Sequence, residues 1–223
     1  VSSEVDICNM ALGHLGDDAT VASLDPPEGS AQAEHCARFY PIARDLLLDA
    51  HRWSFATRRA ALALLATTPP SPWRYAYAQP SDALNLISVL DPTAPDDNSV
   101  GMVAYGTYGC TPFTPTGQYT PQPFVTEVDA SGNPVIYTNQ ASAVLRYTGR
   151  VTDPTKFSPT FIQGLAMMLA SLLAGPVLKG TEGMKAAAVW EDRAAKWLKQ
   201  AKESDANQQH LLVPQNTSWI ASR

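Results

Sequence analysis

Thirteen of the chain's eighteen prolines lie between residues 69 and 159. A proline inside a helix removes a backbone hydrogen bond and crowds the preceding turn, at a cost of about 3 kcal/mol. The middle of this 223-residue chain therefore cannot be built from long helices. The sequence on either side carries helical periodicity, so the distribution predicts helices at both ends and a different module between them.

The first zone, residues 1–55, reads as helical. Ser3 with Asp6 three positions later forms a capping pair, and the first helix runs to about Leu15, where Gly16 ends it. The stretch DDATVASLDPPEGS is a loop, and Ser30 can cap a second helix. On that helix Cys36, Phe39, Tyr40, Ala43, Leu46, Leu47, Ala50 and Trp53 fall on one arc. Glu34, Arg38, Asp45, Asp49 and Arg52 fall opposite, with Glu34 and Arg38 spaced as an ion pair. Pro41 lies inside the pattern, which predicts one helix kinked there.

In the second zone, residues 56–152, short β-branched and aromatic runs alternate with proline and glycine clusters. FATRRAALALL, WRYAYA, LNLISVL, GMVAY, FVTEVD, PVIYTN and AVLRYTGRV are the predicted strands, and DASGNP is a hairpin turn. The expectation is one antiparallel sheet module, with an irregular exposed loop around residues 106–123. The third zone, 153–205, returns to helix. FIQGLAMMLASLLAGPVL opens after Ser158-Pro159 and is expected to stop at Gly175-Pro176, a buried helix of about 16 residues, short for a bilayer. In the next helix Trp190, Ala194, Trp197 and Ala201 share a face, and Asp192 and Lys196 are spaced to pair. Residues 206–223 form a polar, extended C-terminal arm bearing Leu211, Leu212, Val213, Trp219 and Ile220, hydrophobes that need something to bind. The fold class is α+β, mainly α: a helical bundle with an inserted antiparallel β module.

Chemistry is hard to find in this sequence. A phosphate-cradling glycine loop, a nucleophile elbow and a two-histidine zinc helix are all missing. Cys8, Cys36, His14 and His35 match no metal spacing, and Asp96, Asp97 and Asn98 lack the rest of a calcium loop. His51 cannot face Asp49 or Arg52 along one helix, so it assembles no local dyad. The reading is no catalytic residue, no metal and no cofactor. The three cysteines, Cys8, Cys36 and Cys110, are expected to be reduced thiols of a protein made in a cytosol, and the N-terminus resembles no secretion signal. With 17% charged residues the chain has surface to hide, which favours association. A net charge of −5 argues against tight phosphate binding.

Taken in order, several short motifs resemble the head-to-tail adaptor family of tailed phages, called tail tubular protein A in short-tailed phages. They are Asn9-Met10-Ala11-Leu12 with Leu15-Gly16, Tyr40-Pro41 with Arg44-Asp45, Trp53-Ser54-Phe55-Ala56, Pro80-Ser81-Asp82, Arg146-Tyr147 and the late alanine-rich helices. The likeness covers most of residues 4–205, and the order and spacing carry it rather than any one motif. The resemblance implies a structural virion protein, made in the host bacterial cytoplasm, that forms a ring of about twelve copies between portal and tail nozzle. Packaged DNA would pass through the lumen without sequence-specific binding, and no membrane is involved. The C-terminal arm would reach the portal through Leu211, Leu212, Val213, Trp219, Ile220 and Arg223. Helical zones would supply most lateral contacts, with Arg38, Asp45, Asp49, Arg52, Arg58 and Arg59 at the subunit interface. Twelve copies at −5 each give a ring of roughly −60, enough to keep DNA from sticking. Another tail-completion or nozzle component is the alternative, and a tail-borne wall-degrading hydrolase, which needs paired carboxylates in a cleft, a more distant one.

Overall fold

The computed structural model describes residues 2–92 and 122–208. The predicted strand GMVAY, Cys110, the Asp96–Asn98 turn and the arm residues Leu211, Leu212, Val213, Trp219, Ile220 and Arg223 lie outside them. Among the described residues the chain is α+β and mainly α. In order it forms α1 (Glu4–His14), α2 (Ala31–Asp49), β1 (Thr57–Ala61), β2 (Tyr75–Ala78), β3 (Ala83–Leu90), β4 (Phe124–Val128), β5 (Pro134–Thr138), β6 (Val144–Gly149), α3 (Pro159–Leu178) and α4 (Gly180–Ala206). Single 3-10 turns at Ser54–Ala56 and Pro154–Lys156 punctuate the crossings. The described residues divide into two compact units, one of residues 2–57 and 148–208, the other of residues 58–92 and 122–147.

The helical unit is built around α3, against which α1, α2 and α4 each pack. Local chemistry sets the helix starts. Ser3 and Asp6 complete a reciprocal capping box on α1, Ser30 accepts from the Ala33 N–H, and Ser158 accepts from the Phe161 N–H. Ile7, Cys8, Ala11 and Leu12 of α1 and Phe161, Leu165, Leu169 and Leu173 of α3 are buried in the core where these helices and α2 pack. α2 runs unbroken through Pro41.

Two sequence expectations need correction here. The buried arc of α2 is Ala33, Cys36, Tyr40, Ala43, Arg44, Leu47 and Leu48, whereas Leu46 is 53% exposed. The helix is turned toward Arg44 and Leu48 because Arg44 keeps its charge satisfied by Asp45, 2.9 Å away, while its stem packs inward. Nor does Gly175-Pro176 stop α3, which reaches Leu178 over 20 residues. The residue before a proline is normally pushed out of helix by its own Cβ, and Gly175 has none. At this length α3 is long and apolar enough to cross a bilayer, yet eight of its residues are buried against the other helices.

α3 and α4 approach closely at Gly183. A Cβ built there would lie 2.8 Å from the backbone oxygen of Ala174. Alanine ordinarily gains about 1 kcal/mol over glycine in a helix interior. Here the obstacle is backbone, which cannot rotate away, so Gly183→Ala is expected to destabilise by about 1–3 kcal/mol. Gly13→Ala in α1 meets open space and should be neutral or stabilising. Denaturant midpoints of the two variants check the contrast, and equal midpoints would contradict it.

The second unit holds two three-stranded sheets, ordered β1-β6-β3 and β2-β5-β4, where the sequence predicts one. β4 and β5 form the expected hairpin, pairing from Phe124↔Thr138 to Val128↔Pro134. Its turn is closed by Asp129, whose Oδ1 accepts from the Ser131 and Asn133 N–H groups at 2.8 Å each, with Gly132 at φ +85°. Leu62, Tyr77, Val89, Ile136, Ala143, Leu145 and Tyr147 form one core cluster that draws on strands of both sheets.

Candidate functional site

Four places in the described residues gather polar or titratable side chains, three in the helical unit, one of these an aromatic recess, and one in the other unit. The most buried is centred on Asp205 in the last turn of α4, at 5% exposure. Its Oδ1 accepts from the Ser54 hydroxyl at 2.6 Å, and its two oxygens accept from the Ser54 N–H at 3.2 and 3.1 Å. His51 Nε2 sits 3.3 Å from Oδ2 but outside hydrogen-bonding direction, so that contact is electrostatic. The imidazole meets Trp53 edge-on at 4.9 Å.

Serine, histidine and aspartate together invite a test for nucleophilic catalysis. A working triad places histidine between the other two, so that the imidazole takes the hydroxyl proton. Here the carboxylate stands in the middle, and the Ser54 hydroxyl donates to it directly. The Ser54 N–H bonds to the same carboxylate, so this cluster is a cap on the turn at Ser54–Ala56. It fastens the end of α4 to the segment after α2.

A second node joins Asp45 to Arg44 and Arg150, each at 2.9 Å. A third, in the β unit, has Asp82 accepting from Arg58 at 2.6 Å and from the Tyr147 hydroxyl at 3.0 Å. The recess is lined by His14, Met167, Trp190, Arg193, Lys196 and Trp197, with a cavity volume of about 390 Å³. Trp190 stacks with His14 at 4.6 Å and carries the Arg193 guanidinium over its ring at 4.7 Å, and Trp197 donates to the Thr160 carbonyl. These rings anchor α4 onto α1 and α3. No family model matches this sequence, and neither does any curated protein. Among the described residues no group of three or more His, Cys, Asp or Glu side chains could hold a metal ion.

The residues expected at a subunit interface are divided between the units. Arg38 and Asp49 lie exposed on α2, Asp45 is tied to Arg44 and Arg150, and Arg52 is exposed just beyond the helix. The expected Glu34–Arg38 pair does not form, whereas Asp192 and Lys196 do pair. Arg58 and Arg59 stand on β1 in the other unit, with Arg58 held by Asp82. Sequence reasoning placed Ser54 in a motif but missed its contact with Asp205, 151 positions away and sharing no local pattern with it.

His14 and His51 both titrate below their ordinary 6.5. Burial is the main cause in each, aided at His14 by Arg193. At His51 Asp205 opposes the burial, while Lys202 and Arg52 reinforce it. As pH falls the unfolded chain therefore takes up these protons first. Stability is full above the unfolded value and declines as pH drops from there toward the lower folded values. Asp6, Glu28, Asp129 and Asp153 are held below their usual carboxylate values by hydrogen bonds, so their contribution is lost only at more acid pH. The melting temperature should fall between pH of about 7 and about 5, and His14→Gln with His51→Gln should flatten that slope. A wild-type profile already flat across the window would contradict the assignment.

Proposed function

We propose that this chain is a structural subunit, a head-to-tail adaptor of a tailed phage, which assembles into a ring between portal and tail nozzle and continues the DNA channel. One observation carries the reading: the motifs that give the chain its resemblance sit at fold-building positions rather than around a cavity. Asn9 clasps the loop after α1, its side chain bonding both the N–H and the carbonyl of Val21 at 2.7 and 2.9 Å. Tyr40, Arg44 and Asp45 build the inner side of α2 and its link to Arg150. Among the described residues Trp53 is the largest fully buried side chain, and Ser54 receives the α4 latch. Asp82 and Tyr147 close the third node. A helical bundle with a β insertion is also the architecture that the resemblance implies.

Spacing and order of residues that build a frame are what a mechanical part must keep, and this supports a structural role over an enzymatic one. The proposed portal contacts are in the arm, at Leu211, Leu212, Val213, Trp219, Ile220 and Arg223, and the proposed lateral contacts are in the helical unit. Mixing the purified chain with the portal ring of its own phage tests the reading. Electron microscopy should show a second ring stacked coaxially on the portal, and an undecorated portal at saturating chain would overturn it.

A further inference from the structure

Two exposed helix faces in the helical unit remain unexplained by its own packing. On α2 the outward face carries Glu34, Arg38, Ile42 and Leu46 at successive four-residue steps, with Ile42 48% and Leu46 53% exposed. On α4 an exposed row carries Met184, Ala188, Asp192 and Lys196 at the same steps, with Met184 67% exposed and Lys196 also lining the recess beside Trp190. Large apolar side chains this open, set in line with charges on a regular helix, are what a partner helix would cover.

The two rows are complementary when laid antiparallel. Leu46 then faces Met184, Ile42 faces Ala188, Arg38 faces Asp192 and Glu34 faces Lys196. Beside this row Pro41 falls opposite Val189, itself 50% exposed. Apolar meets apolar at one end, and each charge meets its opposite at the other. Ala188 is small, which lets the helices approach. The matched row spans about 18 Å at 1.5 Å per residue. Sliding α4 by one turn sets Glu34 against Asp192, and sliding it the other way sets Arg38 against Lys196, so like charges guard the register on both sides. The existing Asp192–Lys196 pair is exposed and weak, and it yields to the new partners at little cost.

We infer that the α2 face of one copy docks antiparallel on the α4 face of a second copy of this chain. The two faces are different surfaces of one unit, so the contact is heterologous: each copy presents a free α2 to one neighbour and a free α4 to the other. Such contacts propagate, and they close into a ring where the rotation allows. The inference rests on the proposed ring and names the surfaces that build it. It places Arg38 at the interface and adds Ile42, Leu46, Met184, Ala188 and Asp192.

Cysteine cross-linking tests it, in a Cys110→Ser full-length background in which the remaining cysteines, Cys8 and Cys36, are buried. Ile42→Cys with Ala188→Cys in one chain, oxidised at high concentration or on the portal, should give a ladder of multimers. Mixing chains that carry only one cysteine each should give dimers and stop there. Charge reversal supplies a second readout. Arg38→Glu or Asp192→Arg alone should weaken self-association about fivefold, and the two together should restore it to within about twofold. Dimers formed by Ile42→Cys chains alone would show a two-fold contact and overturn the inference. Rings or oligomers that form without the 42–188 cross-link would overturn it while leaving the adaptor reading intact. Chains that stay monomeric both alone and with the portal would overturn both.

Discussion

Replacing Trp53 by alanine is expected to destabilise the helical unit by about 3–5 kcal/mol, the range for deleting a large buried aromatic. A domain's whole stability is about 5–15 kcal/mol, so much of the folded margin would go. Trp53 has no exposed surface, and its ring meets Phe161 at 5.1 Å, Phe55 at 5.9 Å and His51 at 4.9 Å. Its indole N–H donates to the Leu47 carbonyl at 2.7 Å, near the end of α2 where carbonyls lack helical partners. Alanine would lose the ring packing and strand that carbonyl. Trp53→Phe keeps most of the packing and loses the hydrogen bond, so it should cost about 1–2 kcal/mol. Trp190→Ala, at a half-buried ring, should also cost less than Trp53→Ala. Urea midpoints rank the three variants, and a Trp53→Ala midpoint no lower than that of Trp190→Ala would refute this account of the core.

The same comparison shows what a sequence can disclose. Caps at Ser3, Ser30 and Ser158 were legible because a cap is a contact within three residues. So was the β4–β5 hairpin, whose turn chemistry is local to residues 129–133. Division of the strands into two sheets was not legible, since β1 pairs with β6 across more than eighty residues and no short window holds that information. The inward face of α2 was misjudged at Leu46 because periodicity counts arginine as polar. Arg44 is buried through its stem, with its charge answered by Asp45. The length of α3 was misjudged by reading Gly175 and Pro176 as two stop signals, when the glycine relieves the proline's clash. Leu46 lies at the centre of the inference above, and only the structure puts it in solvent.

Asp205→Ala is the second large expected effect, about 2–4 kcal/mol, and its size comes from what it leaves behind. The carboxylate satisfies the Ser54 N–H and the Ser54 hydroxyl inside a nearly closed site. Removing it strands the Ser54 N–H and leaves the hydroxyl only the Gln208 side-chain oxygen, 3.3 Å away, and a buried unpaired donor costs about 1–3 kcal/mol. Ser54→Ala removes the hydroxyl along with its need for a partner, so that loss should be about 1 kcal/mol. Asp205→Asn should fall between, because one oxygen still accepts while the amide turns a donor toward donors. The damage should also be local. Hydrogen exchange across residues 200–208 should quicken in Asp205→Ala well before exchange in α1 does, since the latch holds only the end of α4. If Ser54→Ala costs as much as Asp205→Ala, the stability lies in the hydroxyl rather than the carboxylate. The ordering of these three variants therefore decides whether Asp205 is what fastens α4 to the turn at Ser54.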